Sequence, residues 1–184
     1  MILPIVAFGD PVLRKKAVNI SKDYDGLEML LDSMFETMYA SHGVGLAAPQ
    51  VGKSINLFML DTAPFEDEKY PALKKVFINP EIIDESGEIW EFEEGCLSIP
   101  HIRENVKRYT SLTIRYQNEN FEQLEESYDG IAARVIQHEY DHCQGKLFVD
   151  HLSELKKRLL KNKLISISKG AVKVDYRMRF PSAR

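Results

Sequence analysis

Two histidines four residues apart, with a glutamate directly after the first, constrain this chain more than any other stretch: His138-Glu139-Tyr140-Asp141-His142. On an α-helix, residues four apart share one face, so both imidazoles can grip a single divalent cation. Glu139 lies roughly 80° round the helix from the mean direction of that face, and its longer side chain still reaches water beside the cation, where it can act as general base. The flanking residues favour a helix. Asp129-Gly130 reads as an N-cap ahead of Ile131, Ala132, Ala133, Val135 and Ile136, and Gly145 as the stop. Two ligands do not complete a site, so the fold has to bring a third from another segment.

Zinc proteases of the extended type place a third histidine after the glycine, but here that position is Phe148, which cannot bind metal. Another protease class uses a glutamate about twenty residues downstream on a second helix, and Glu154 sits closer than that. Of the two cysteines, Cys143 directly follows His142 and points roughly 120° away from the ligand direction, as a packing residue does. Cys96 is the better candidate. A thiolate with two imidazoles fills three corners of a tetrahedron and leaves the fourth open, the pattern of a catalytic site. Taken alone, Cys96 reads more readily as a small buried hydrophobe.

Its surroundings change that reading. Gly43-Val44-Gly45-Leu46-Ala47-Ala48-Pro49-Gln50, then Glu94-Gly95-Cys96-Leu97-Ser98, then Gln137-His138-Glu139-Tyr140-Asp141-His142 resemble the three signature motifs of peptide deformylases, in that family's order and spacing. The resemblance runs from Pro4 to about Ser168. One departure is Cys143, where the family usually carries a bulkier aliphatic residue. The resemblance implies removal of the N-formyl group from the initiator methionine of new polypeptides, with release of formate. It implies Cys96, His138 and His142 as metal ligands, Glu139 as proton shuttle, and the Gln50 amide with the Leu97 backbone N–H as donors to the formyl oxygen. It places Val44, Phe92, Ile131 and Val135 at an apolar pocket for the methionine, Arg103 at the rim, and Gly43, Gly45, Glu94 and Gly95 along the substrate. Gly43 and Gly45 lack side chains, which lets an extended peptide lie against the loop like an added strand. Thiolate and imidazole suit Zn²⁺ and also Fe²⁺. The family's habit favours Fe²⁺ as the one working ion per chain, with Zn²⁺ or Ni²⁺ able to occupy the purified protein. Two rival readings use the same helix: a zinc peptidase cleaving internal bonds, and a metal-stabilised binding module with no need of Glu139.

The rest of the chain fits one domain over residues 1–184, since 184 residues bury a substantial core and no linker or repeat divides them. The expected class is α+β: antiparallel strands packed around a central metal-binding helix, with an N-terminal and a C-terminal helix. Leu27, Leu30, Leu31, Met34, Phe35 and Met38 recur at helical spacing, which predicts a first helix from about Asp25 to Ala40. Strands are expected at 55–61, 75–83, 110–116 and 121–127, with an extended aromatic run at 89–92 and an acidic loop around Pro64-Phe65-Glu66-Asp67-Glu68. A last helix begins near Ser153 with Leu155, Leu159 and Leu160 on one side, and Val172, Val174, Tyr176 and Met178 alternate as in a strand.

Asp141 is expected to point away from the metal, either to orient a neighbouring group or to face solvent, and His42, His101 and His151 to play surface or packing roles. From Leu152 onward the chain carries ten Lys or Arg against Glu154 and Asp175, a surplus of +8 that leaves −12 on residues 1–151 of a chain whose net charge is −4. Such a basic helix and tail offer a docking surface for an anionic partner, for a deformylase the ribosome. No apolar run approaches the ~18 residues of a membrane span, and Met1-Ile2-Leu3-Pro4 carries no basic, apolar leader. A cytoplasmic monomer acting on N-formylmethionyl nascent peptides, with no membrane partner, is the expectation.

Overall fold

Leu57-Phe58-Met59-Leu60 is apolar at every position, and a strand of that kind must be covered on both faces. The computed structural model, which describes residues 1–66 and 69–181, shows the two covers. Strand β3 (Leu57–Asp61) lies in a five-stranded antiparallel sheet of order β2-β3-β4-β5-β6, with β2 Gly45–Ala47, β4 Lys74–Cys96, β5 Ile99–Gln117 and β6 Gln123–Asp129. Leu57 and Met59 face helix α1 (Leu27–Ala40), meeting Leu31, Met34 and Met38. Phe58 and Leu60 face helix α2 (Gly130–Cys143), meeting Ile131, Val135 and Ile136. β4 repeats the alternation: Val76 and Ile78 turn to α1, while Phe77 turns to α2 and stacks on Phe58 at 4.7 Å. The sheet is thus sandwiched between α1 and α2, an α+β arrangement with the histidine helix at its centre.

Eleven of the fourteen α2 residues are buried, polar ones included. The helix ends at Gly145, whose φ of +73° admits the left-handed turn. Asp129 holds the N-cap position with extended backbone, but its side chain makes no capping bond; the strand β6 leads straight into the helix instead. A third cluster joins Val6, Leu13 and Phe148 to Ile99, Ile102 and Val106 of β5 and to Leu160 and Ile167 of helix α3 (Glu154–Ser168). The terminal strands β1 (Ile5–Val6) and β7 (Met178–Arg179) pair in parallel beside it.

Several expectations change. The runs at 75–83 and 89–92 form one bent strand, β4, because register shifts at Ile78/Glu81, Ile82/Asp84 and Ser86/Ile89 absorb the extra residues as bulges. On α3, Leu155 and Leu159 are 67% and 72% exposed; the helix docks instead through Leu160, Leu164 and Ile167, at i, i+4 and i+7. In the C-terminal segment Val172, Val174, Tyr176, Met178 and Phe180 do turn inward in alternation, yet only residues 178–179 join a ladder. Asp67, Glu68 and Arg184 lie outside the described residues.

Where β4, β5 and β6 meet, Glu126 accepts from Lys75 Nζ at 2.7 Å, from Tyr116 Oη at 2.6 Å and from the Tyr128 hydroxyl. Burial alone would raise its pKa, but these donors outweigh burial and hold it at about 2 against an ordinary 4.5. A carboxylate depressed in this way stabilises the fold fully above its unfolded pKa and loses that contribution as pH falls through the folded one. Glu126→Gln is therefore expected to be less stable than the wild type near neutral pH. The gap, measured by urea unfolding, should close between pH about 4.5 and about 2.

Candidate metal centre

The hairpin turn between β4 and β5 is only two residues long, Leu97-Ser98, with Cys96 paired to Ile99 across it. That turn carries Cys96 to the buried face of α2. The Sγ of Cys96 lies 3.3 Å from Nε2 of His142, and one donor atom each from Cys96, His138 and His142 fall within 4.8 Å of one another. Two ligands of one tetrahedral ion, with bonds of ~2.3 Å to sulfur and ~2.0 Å to nitrogen, would sit ~3.5 Å apart, close to the observed spacing. Burial pushes the His142 imidazole well below the ordinary histidine value and keeps it neutral, as a ligand must be. Burial opposes protonation at His138 too, but the Cys96 sulfur and the Glu94 carboxylate overcome it and draw positive charge to that ring. The three residues suit a divalent cation in donor type and position.

Behind the donors stands a buried polar network. Glu94 Oε2 accepts from His138 Nδ1 at 2.9 Å, which leaves Nε2 facing Cys96. Both Glu94 oxygens also accept from Arg108, through Nε at 2.7 Å and Nη2 at 3.1 Å, and Arg134 Nη1 adds a bond of 2.8 Å. Burial would raise the Glu94 pKa, yet these partners hold it well below the carboxylate range. Arg108 continues through Nη1 to Asp141 at 2.8 Å, and Asp141 meets His151 Nε2 at 2.7 Å. The Glu94 carboxylate is engaged by the network on both oxygens, and His151 has a partner from another segment. Asp141 does turn away from the donors, but into this network and not to solvent. Cys143 is fully buried, its sulfur near Leu57 O, in a packing role.

In front of the donors lies a cleft of about 750 Å³. Glu139 stands at its floor, 4% exposed, with Oε2 unpartnered, and burial pushes its pKa up to about 7. The side chain of Gln50 is fixed by Oε1 accepting from Ala47 N–H at 2.9 Å, so Nε2 points to Cys96 and Ser98 at 3.4 Å each. The cleft walls include Val44, Phe92, Ile131 and Val135, with Leu97 and Gly95 beside Cys96. Arg103 is an exposed rim residue paired to Glu93 at 2.9 Å. The glycines have a reason besides the one expected. A Cβ on Gly45 would fall on the Glu139 carboxylate, and one on Gly43 would come within 2.9 Å of the Leu97 side chain. Both are kept bare first by the close packing of the site itself. Sequence reasoning missed Arg108, Arg134 and Tyr176. Arg134 carried a signal, as a lone charge four residues before His138 on an otherwise apolar stretch.

A family model described as Polypeptide deformylase matches residues 2–158. The chain belongs to the peptide deformylase family. Curated relatives named peptide deformylase include that of Christiangramia forsetii, 58% identical over all of this chain and 98% of its own length, and that of Pseudothermotoga lettingae, 46% identical over 97% and 99%. Among solved structures, a Legionella pneumophila peptide deformylase superposes with a TM-score of 0.81 at 39% identity, covering 95% of this chain and all of its own. A plant peptide deformylase gives 0.83 at 36%, covering 92% and 90%. As a deformylase, the chain is a metal-dependent hydrolase that removes the N-formyl group from the initiator methionine of newly made polypeptides and releases formate. No helix among the described residues is long and apolar enough to cross a membrane.

For this deformylase, Glu94→Gln keeps the side-chain shape and removes the charge behind His138. Its affinity for Zn²⁺, read by competition with a chromogenic chelator, is expected to fall by about 10- to 100-fold. An unchanged affinity would show that Glu94 does not tune the ligand.

Proposed function

We propose that Cys96, His138 and His142 together hold one divalent ion, and that Glu139, Gln50 and Leu97 carry the deformylation step around it. The observation that carries this reading is the unpartnered, buried Oε2 of Glu139, a residue that lines the same cleft as Cys96 and His138. A buried carboxylate oxygen without a partner is costly and calls for a use. The ion, when bound, supplies a Lewis acid that makes water acidic enough to attack near neutral pH.

Glu139 accepts that proton and returns it to the amine that leaves as formate is released. Burial raises its pKa above the ordinary glutamate value, which favours taking up the proton. Negative charge grows on the formyl oxygen during attack, and on this reading the Gln50 Nε2 amide and the Leu97 N–H donate to it. Loss of one such donor typically costs ~3 kcal/mol of transition-state stabilisation. Val44, Phe92, Ile131 and Val135 receive the methionine side chain, and Arg103 with Gly95 borders the peptide beyond it. Fe²⁺ is the working ion on this reading, and metal analysis with activity after anaerobic preparation tests it, since activity insensitive to peroxide speaks against iron.

Formyl-Met-Ala-Ser is the direct probe, with formate and free amine measured together. The wild type is expected to yield both in equal amounts. Glu139→Gln is expected to stay folded and metal-loaded while kcat drops at least about 100-fold. Full activity in that variant would overturn the role of Glu139.

The chain is further read as a cytoplasmic monomer of one domain that meets its substrate at the ribosome. Support comes from the basic charge of α3 and from the exposed Leu155 and Leu159 on that helix. Replacement of Lys156, Lys157, Arg158 and Lys161 by glutamate is expected to abolish co-sedimentation with ribosomes at low salt; unchanged pelleting would refute the docking.

A further inference from the structure

The Leu97-Ser98 turn is held by both ends of the chain. The Ser98 carbonyl accepts from the backbone N–H of Phe8 at 2.8 Å, and the Leu97 carbonyl accepts from the Tyr176 hydroxyl at 2.8 Å. Tyr176 belongs to the segment after α3, beyond the residues 2–158 that the family model matches. Lys173, Val174, Asp175 and Tyr176 of that segment form part of the cleft wall. The segment is tied on one side by His101 Nε2 to the Lys173 carbonyl at 2.7 Å, and at its end by the pairing of β7 with β1.

We infer that Tyr176 is a positioning residue for deformylation, holding the Leu97 peptide so that the Leu97 N–H faces the formyl oxygen. The inference rests on the role proposed above for that N–H. A two-residue turn pinned at the Cys96–Ile99 pair has few free dihedrals, so a tilt of the Leu97–Ser98 peptide plane also tilts the Cys96–Leu97 plane that carries the N–H. Phe8 fixes the far carbonyl through backbone, while the near one depends on a single side-chain hydroxyl. The Tyr176 hydroxyl is the donor in this bond, and burial raises its pKa further above neutral. Donors to a developing oxyanion act by being fixed beforehand, and a loosened one loses part of its effect.

Tyr176→Phe removes the hydroxyl and leaves the ring packed. In the metal-loaded full-length protein, kcat on formyl-Met-Ala-Ser is expected to fall about five- to ten-fold with KM changed less than about two-fold, the scale of one hydrogen bond lost at the transition state only. Amide hydrogen exchange at Leu97 and Ser98, followed by NMR in the same sample, is expected to speed up. Faster exchange with unchanged kcat would overturn the inference by showing that the Leu97 N–H is not a catalytic donor, which also removes that part of the proposed function. Unchanged exchange, with or without a lower kcat, would overturn it differently: Tyr176 would not hold the turn, and the role of Leu97 would stand untouched.

Discussion

The Glu94 carboxylate is the interaction on which the rest of the site depends. It sits 5% exposed between β4, β5 and α2 and takes hydrogen bonds from Arg108, Arg134 and His138. A charge buried this deeply is tolerated only with partners on every side. Satisfying it therefore fixes the distance between the hairpin and the helix. Cys96 lies two residues along the same strand, and His138 bonds the carboxylate directly, so the constraint that satisfies Glu94 also brings sulfur and imidazole together. Arg108 extends it to Asp141 on α2 and from there to His151, locking the segment after the helix as well.

This design sets a fully paired carboxylate in the same buried site as groups left without partners. Both oxygens of Glu94 have partners, whereas the buried Glu139 Oε2 and His142 Nδ1 have none. Buried charges paired as Glu94 is give specificity of geometry more than net stability. Here that specificity serves to hold incompletely paired groups where a cation and a substrate would meet them. The bare Gly45 is part of the same economy of space, since a methyl group there would displace the Glu139 carboxylate.

What the sequence disclosed follows from how local each signal is. His138 and His142 share a face because of helical periodicity, a property of five residues. The strand at Leu57-Phe58-Met59-Leu60 was likewise legible, as an apolar run within the span 55–61. Cys96 needed its neighbours Glu94-Gly95 and Leu97-Ser98 to be read as more than a core residue. Arg108 gave no signal, because its burial is set by Glu94 fourteen positions away across a strand pair. His151 was passed over for the same reason: its partner lies on another element. Leu155 and Leu159 misled, since an apolar side chain on a helix does not say whether its own chain covers it.

The tautomer of His138 tests this account most directly. In the zinc-loaded protein, ¹⁵N NMR of the histidine rings should find the His138 proton on Nδ1, bonded to Glu94, with Nε2 bound to the metal. A His138 that carries its proton on Nε2, or binds the metal through Nδ1, would contradict the claim that the Glu94 carboxylate sets the geometry of the centre.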